Sequence, residues 1–136
     1  MLTPHAALIY AMVIVSGSDR TMTDEELALI GDEVTHLPVF SDYNKDQLIA
    51  DARACGTLVR QDNGFRKALD AIAAALPAHL RETCYLLACD VAGSSAPVGP
   101  EEARVLQLLR QALKLDRLTT VALERATRAR WMALHP

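Results

Sequence analysis

Four carboxylates stand where acidic side chains could act together. They are Asp19 in the loop after a long apolar segment, Glu26 one turn into the next helix, Asp90 late in a second apolar segment, and Glu102 beyond the following loop. Carboxylate oxygens converging from two loops are the donor set of a hard divalent cation, Ca²⁺ or Mg²⁺. The same charges also have a structural use. Asp24, Glu25 and Glu26, and again Glu101 and Glu102, fall in first helical turns, where negative charge meets the positive end of the helix dipole for about 0.3–1 kcal/mol each. The D-x-[DN]-x-[DN]-G-x₅-E calcium loop is absent. Asp90 sits between Cys89 and Val91 on a mostly apolar stripe, so its burial demands a partner: a metal, an arginine or a backbone amide. The one enzymatic arrangement on offer is a carboxylate pair such as Asp90 and Glu102 working as acid and base.

Other chemistry is thinly represented. His5, His36, His79 and His135 form no i, i+4 pair, and no G-x-S-x-G, phosphate loop or glycine-rich dinucleotide turn is present. No catalytic residue and no organic cofactor is therefore expected. Cys55, Cys84 and Cys89 are odd in number with no C-x-x-C spacing, which fits reduced, buried thiols.

The elements that must carry the four carboxylates are helices. Residues 15–26 align without gaps on residues 91–102 at an offset of 76: an apolar helix, a glycine break, one apolar loop residue (Met22 or Val98), a cap position and a Glu-Glu pair. Around this echo, periodicity and end signals predict seven helices and no strand. The first, Pro4 to Ser16, is apolar almost all round and should be a buried central helix. The second opens on the capping box Thr23–Glu26 with Leu27, Ile30, Val34 and Leu37 on one face. A third begins near Asn44 and turns Leu48, Ile49, Ala52, Cys55 and Val59 inward. The fourth runs from Phe65 to Leu76, the fifth starts at Pro77 and the sixth at Pro100. The seventh follows Asp116 with Leu118, Val121, Ala122 and Ala129 inward. The expected architecture is an all-α bundle of about seven helices built on two pseudo-repeated hairpins.

Composition agrees with that reading. The 136 residues suit a single domain, 1–136. Ala and Leu form nearly a third of the chain, a bias toward helix, while two Phe, three Tyr and one Trp argue against a β-sandwich. The longest apolar run, Ala6 to Val15, falls short of the roughly 20 residues needed to span a bilayer. It lacks the basic start and cleavage pattern of a signal peptide, so a cytoplasmic protein without membrane insertion is expected. Charge is divided: residues 1–64 carry ten acidic and four basic side chains, net −6, and residues 65–136 carry seven and ten, net +3. Such polarity favours self-association or a protein partner. Nucleic acid is not expected, because only Trp131 interleaves Arg117, Arg125, Arg128 and Arg130.

The repeated hairpin, with Val15 to Leu27 as one copy and Leu80 to Ala92 continued by Pro100-Glu101-Glu102 as the other, followed by Leu113-Lys114-Leu115-Asp116 and the tail Ala122 to Arg130, resembles the tellurite-resistance TerB family over nearly the whole chain. The resemblance implies a bacterial, non-enzymatic helical protein linked to tellurite and other stress resistance. It also implies metal-ion binding and work with partner proteins at the inner face of the membrane. The family's loop carries Ala-Asp-Gly. Here the first copy keeps only the aspartate, as Asp19-Arg20, and the second has Ser95-Ala96. The metal ligands this implies are Asp19, Glu26, Asp90 and Glu102, with the second half-site short of one oxygen.

Overall fold

The first helix, α1 (Pro4–Ser16), starts where Thr3 accepts a hydrogen bond from the Ala6 amide at 3.1 Å and ends at Gly17. Pro4 fills the first helical position, where a missing N–H costs nothing. Apart from Val13, the side chains from Ala6 to Ser16 are all buried, so α1 runs through the core. The computed structural model describes residues 1–17, 22–94 and 97–135. Among them are seven α-helices and no strand: α1, then α2 (Asp24–His36), α3 (Leu48–Val59), α4 (Gly64–Ala75), α5 (Arg81–Gly93), α6 (Pro100–Ala112) and α7 (Arg117–Arg130). Short 3₁₀ turns at Pro38–Phe40, Lys45–Gln47 and Ala78–Leu80 link them. None of these helices is long and apolar enough to cross a membrane.

α5 is the second central helix. It packs along α1, with α3 and α4 on the far side of α1 and α7 against α5. The helices that follow the two central ones dock crosswise: α2 touches α5 as well as α1, and α6 touches α1 as well as α5. Gly17 at the end of α1 and Pro100 and Glu101 at the start of α6 line one groove, so the two acidic corners lie at the same end of the bundle.

Four helices differ in detail from the periodicity reading. Pro77 precedes the 3₁₀ turn Ala78–Leu80, and α5 begins only at Arg81. Asn44 caps the 3₁₀ turn at Lys45–Gln47, and α3 begins only at Leu48. Leu27 and Ile49 are exposed, at 53% and 63%, because α2 and α3 settle on narrower stripes centred on Ile30 and Val34 and on Cys55. The largest change is in α7. Leu118 is 83% exposed and Val121 44%, while Ala122 and Ala129 also face outward. The inward stripe is instead Thr120, Leu123, Glu124 and Thr127. α7 has turned its polar side to α5, because groups on α5 and α6 need hydrogen-bond partners.

Candidate functional site

The α1–α2 corner is built by the capping box that the sequence announces. The Thr23 hydroxyl accepts from the Glu26 amide at 3.1 Å, and Glu26 Oε1 accepts from the Thr23 amide at 2.8 Å. Glu26 is 1% exposed, and its second oxygen, Oε2, is buried with no hydrogen-bond partner among the described residues. The α5–α6 corner repeats half of this device without a hydroxyl: the Gly99 amide donates to Oε1 of the buried Glu102 at 3.2 Å. Glu26 and Glu102 thus cap helices from equivalent places in the two copies. Asp19 lies outside the described residues.

Asp90 belongs to different surroundings. It is buried in the last turn of α5, and Arg130 of α7 places Nε 3.2 Å from Oδ1 as an ion pair, while Oδ1, like Glu26 Oε2, accepts no hydrogen bond among the described residues. Burial raises the carboxyl above its ordinary value, and the Arg130 charge and the Trp131 indole N–H draw it partly back. Glu33 of α2 faces the same pair: burial raises its carboxyl, Asp90 raises it further, and Arg130 opposes them. The partner that Asp90 requires is therefore an arginine. Among the described residues no three His, Cys, Asp or Glu side chains converge to hold a metal ion.

Two residue sets were hidden from sequence reasoning. The first is the Glu33–Asp90–Arg130 cluster across α2, α5 and α7. The second is a network on the opposite flank of α5, where the buried Tyr85 hydroxyl donates to Glu124 Oε2 at 2.5 Å. Arg110 Nη1 lies 3.3 Å from that hydroxyl and 3.5 Å from the carboxylate, and Arg117 Nη1 reaches the same oxygen at 3.5 Å. Burial and the Glu124 contact push the Tyr85 hydroxyl well up, so it stays a neutral donor. A tyrosine inside an apolar helix was the available signal, since a buried phenol seeks a partner.

This network is the polar floor of a cavity of ≈670 Å³ between α5, α6 and α7, walled by Val98, Leu106, Trp131 and Met132. A second cavity, ≈690 Å³, lies on the other side of α6 among α1, α3 and α4, lined by Val13, Ile14 and Phe65 together with Arg60, Glu101 and Arg104. Each cavity borders one cysteine, Cys89 and Cys55 respectively. Burial pushes both thiols up to about 12 and raises Cys84 as well. All three are thus poor nucleophiles at neutral pH. Compared with known proteins, the chain matches no family model, no curated protein and no solved structure.

Proposed function

We propose that this chain is a non-catalytic, TerB-like cytoplasmic module, associated with tellurite or other stress resistance, that holds a divalent cation at its acidic interhelical corners and works with a protein partner. The observation that carries the reading is Glu26 Oε2, a buried carboxylate oxygen with no hydrogen-bond partner among the described residues. Leaving such an atom unsatisfied costs about 1–3 kcal/mol, which coordination to Ca²⁺ or Mg²⁺ would offset. Asp19, five residues before α2 in the sequence, would supply the next oxygen, and Glu102 serves the other corner. Asp90 fits less well, because a cation there would first have to displace Arg130. Calorimetric and thermal-shift titrations with CaCl₂, MgCl₂ and MnCl₂ test this. Wild type gives saturable heat with at least one ion, and Glu26→Gln, which preserves the capping geometry, abolishes it. No heat and no shift with any ion removes the metal.

A protein-interaction scaffold with no metal site is the second reading, favoured by the exposed face of α7. Leu118 and Val121 stand out on a helix that also carries Arg125 and Arg128, opposite in sign to the −6 of residues 1–64. Self-association would then weaken as salt rises in sedimentation velocity, whereas a salt-insensitive monomer counts against that form.

A further inference from the structure

The cavity between α5, α6 and α7 has the size of a small-molecule site, and its charges say what it can hold. Its ionic side chains are Arg110, Glu124 and Arg128, a sum of +1. Glu124 is already engaged by Tyr85, Arg110 and Arg117, so it offers little to a ligand cation. Arg128 makes no hydrogen bond or ion pair among the described residues, and the bonds Arg110 makes to Tyr85 and Glu124 use Nη1, so its other N–H groups have no acceptor among the described residues. A guanidinium left over beside apolar walls is suited to an anion. With Glu124 already held by Tyr85, Arg110 and Arg117, the charge left to a ligand is that of the two guanidinium groups, and a carboxylate is an anion that can pair with them.

The walls set the rest of the ligand. Val98, Leu106 and Met132 are aliphatic, and Trp131 is held in place from behind. Its ring lies so near Gly93 that a Cβ there would sit 3.2 Å from Trp131 Cδ1, and its indole N–H is turned to Asp90. We propose that the cavity binds a medium-chain alkyl carboxylate, its carboxylate on Arg128 and the open N–H groups of Arg110, its chain laid along Val98, Leu106 and Trp131.

Trp131 is the chain's single tryptophan and reports directly. Titration with sodium decanoate gives a saturable, one-to-one change in its fluorescence, confirmed by calorimetry. Decan-1-ol, which keeps the chain and loses the charge, binds about tenfold more weakly, as expected for loss of a charge-assisted hydrogen bond. Arg128→Ala, at an exposed position with no structural partner, weakens decanoate by a similar factor, while Arg128→Lys recovers most of the affinity. The proposal is overturned if decanoate produces no saturable signal, if decan-1-ol binds equally well, or if Arg128→Ala binds decanoate like wild type.

Discussion

The two cavities beside α6 are nearly equal in volume, ≈690 and ≈670 Å³, and the 76-residue offset relates their walls: Val13 answers to Cys89 and Gly17 to Gly93. They differ in what the central helix carries. α1 has Ile9 and Ile14 where α5 has Tyr85 and Asp90, and all four are buried. Two apolar side chains ask nothing of their neighbours, whereas a phenol and a carboxylate each require a partner. The seventh helix supplies both, Glu124 to Tyr85 and Arg130 to Asp90. Of the two central helices, the one that carries buried polar residues is the one beside the candidate binding site. Each lining carries three ionic side chains, Arg60, Glu101 and Arg104 in one and Arg110, Glu124 and Arg128 in the other, so what separates the two is the buried Tyr85 hydroxyl on the central helix, not charge or the size of the void.

The sharpest way to break the comparison is on the α1 side. Gly64 opens α4, and a Cβ there would meet backbone oxygens of Leu58 and Val59 at 2.2 and 2.5 Å. Backbone cannot swing aside as a flexible side chain can, so Gly64→Ala forces α3 and α4 apart. The expected loss is about 3 kcal/mol in urea unfolding. Because Val59 and Phe65 line the cavity beside α1, that cavity should be disrupted while the Trp131 fluorescence of the other stays as in wild type.

A smaller effect tests the polar floor. Tyr85→Phe keeps the ring and removes the donor to Glu124, leaving the carboxylate to Arg110 and Arg117. The expected cost is about 1–2 kcal/mol, measured by urea unfolding alongside Ile9→Val at the equivalent place in α1, about 0.5–1.5 kcal/mol. The two variants should also part in salt dependence. The loss in Tyr85→Phe changes with ionic strength because the ion pairs left behind are partly exposed and screened, and the loss in Ile9→Val does not.

Much of this frame is written locally in the chain. Thr3 and Pro4, the Thr23–Glu26 box, Pro100 and Asp116 each mark a helix start within a few residues of where it lies, and glycine marks the ends of α1 and α5. The failure at α7 is equally physical. By hydrophobicity Leu118 and Val121 outrank Thr120, Glu124 and Thr127, and only the demand of Tyr85, 39 residues earlier, reverses the order. The need of Asp90 for a partner was legible from its apolar neighbours, but Arg130 was not, since 40 residues separate them and nothing local pairs them. A cavity is still less legible. It is the space three helices fail to fill, and it depends on how α5, α6 and α7 meet.

The finest contrast between α1 and α5 is the titration of Asp90, where α1 has Ile14. Burial raises the carboxyls of both Asp90 and Glu33 in the folded protein, and the facing groups that bear on them are Arg130 and, for Glu33, Asp32. A raised carboxyl means that the folded chain keeps a proton the unfolded chain has already released. The associated stability is thus fully present below the unfolded values, 3.8 for Asp90 and 4.5 for Glu33. It is lost as pH rises through the higher folded values, opposite in sign to a carboxylate whose folded value is depressed. Asp90→Asn removes one of the two protons from this linkage and keeps an acceptor for the Trp131 indole. Urea midpoints across mild acid should therefore fall less with rising pH in Asp90→Asn than in wild type. Parallel curves would mean that Arg130 compensates Asp90 fully, and that this end of α5 is electrostatically as quiet as its apolar counterpart in α1.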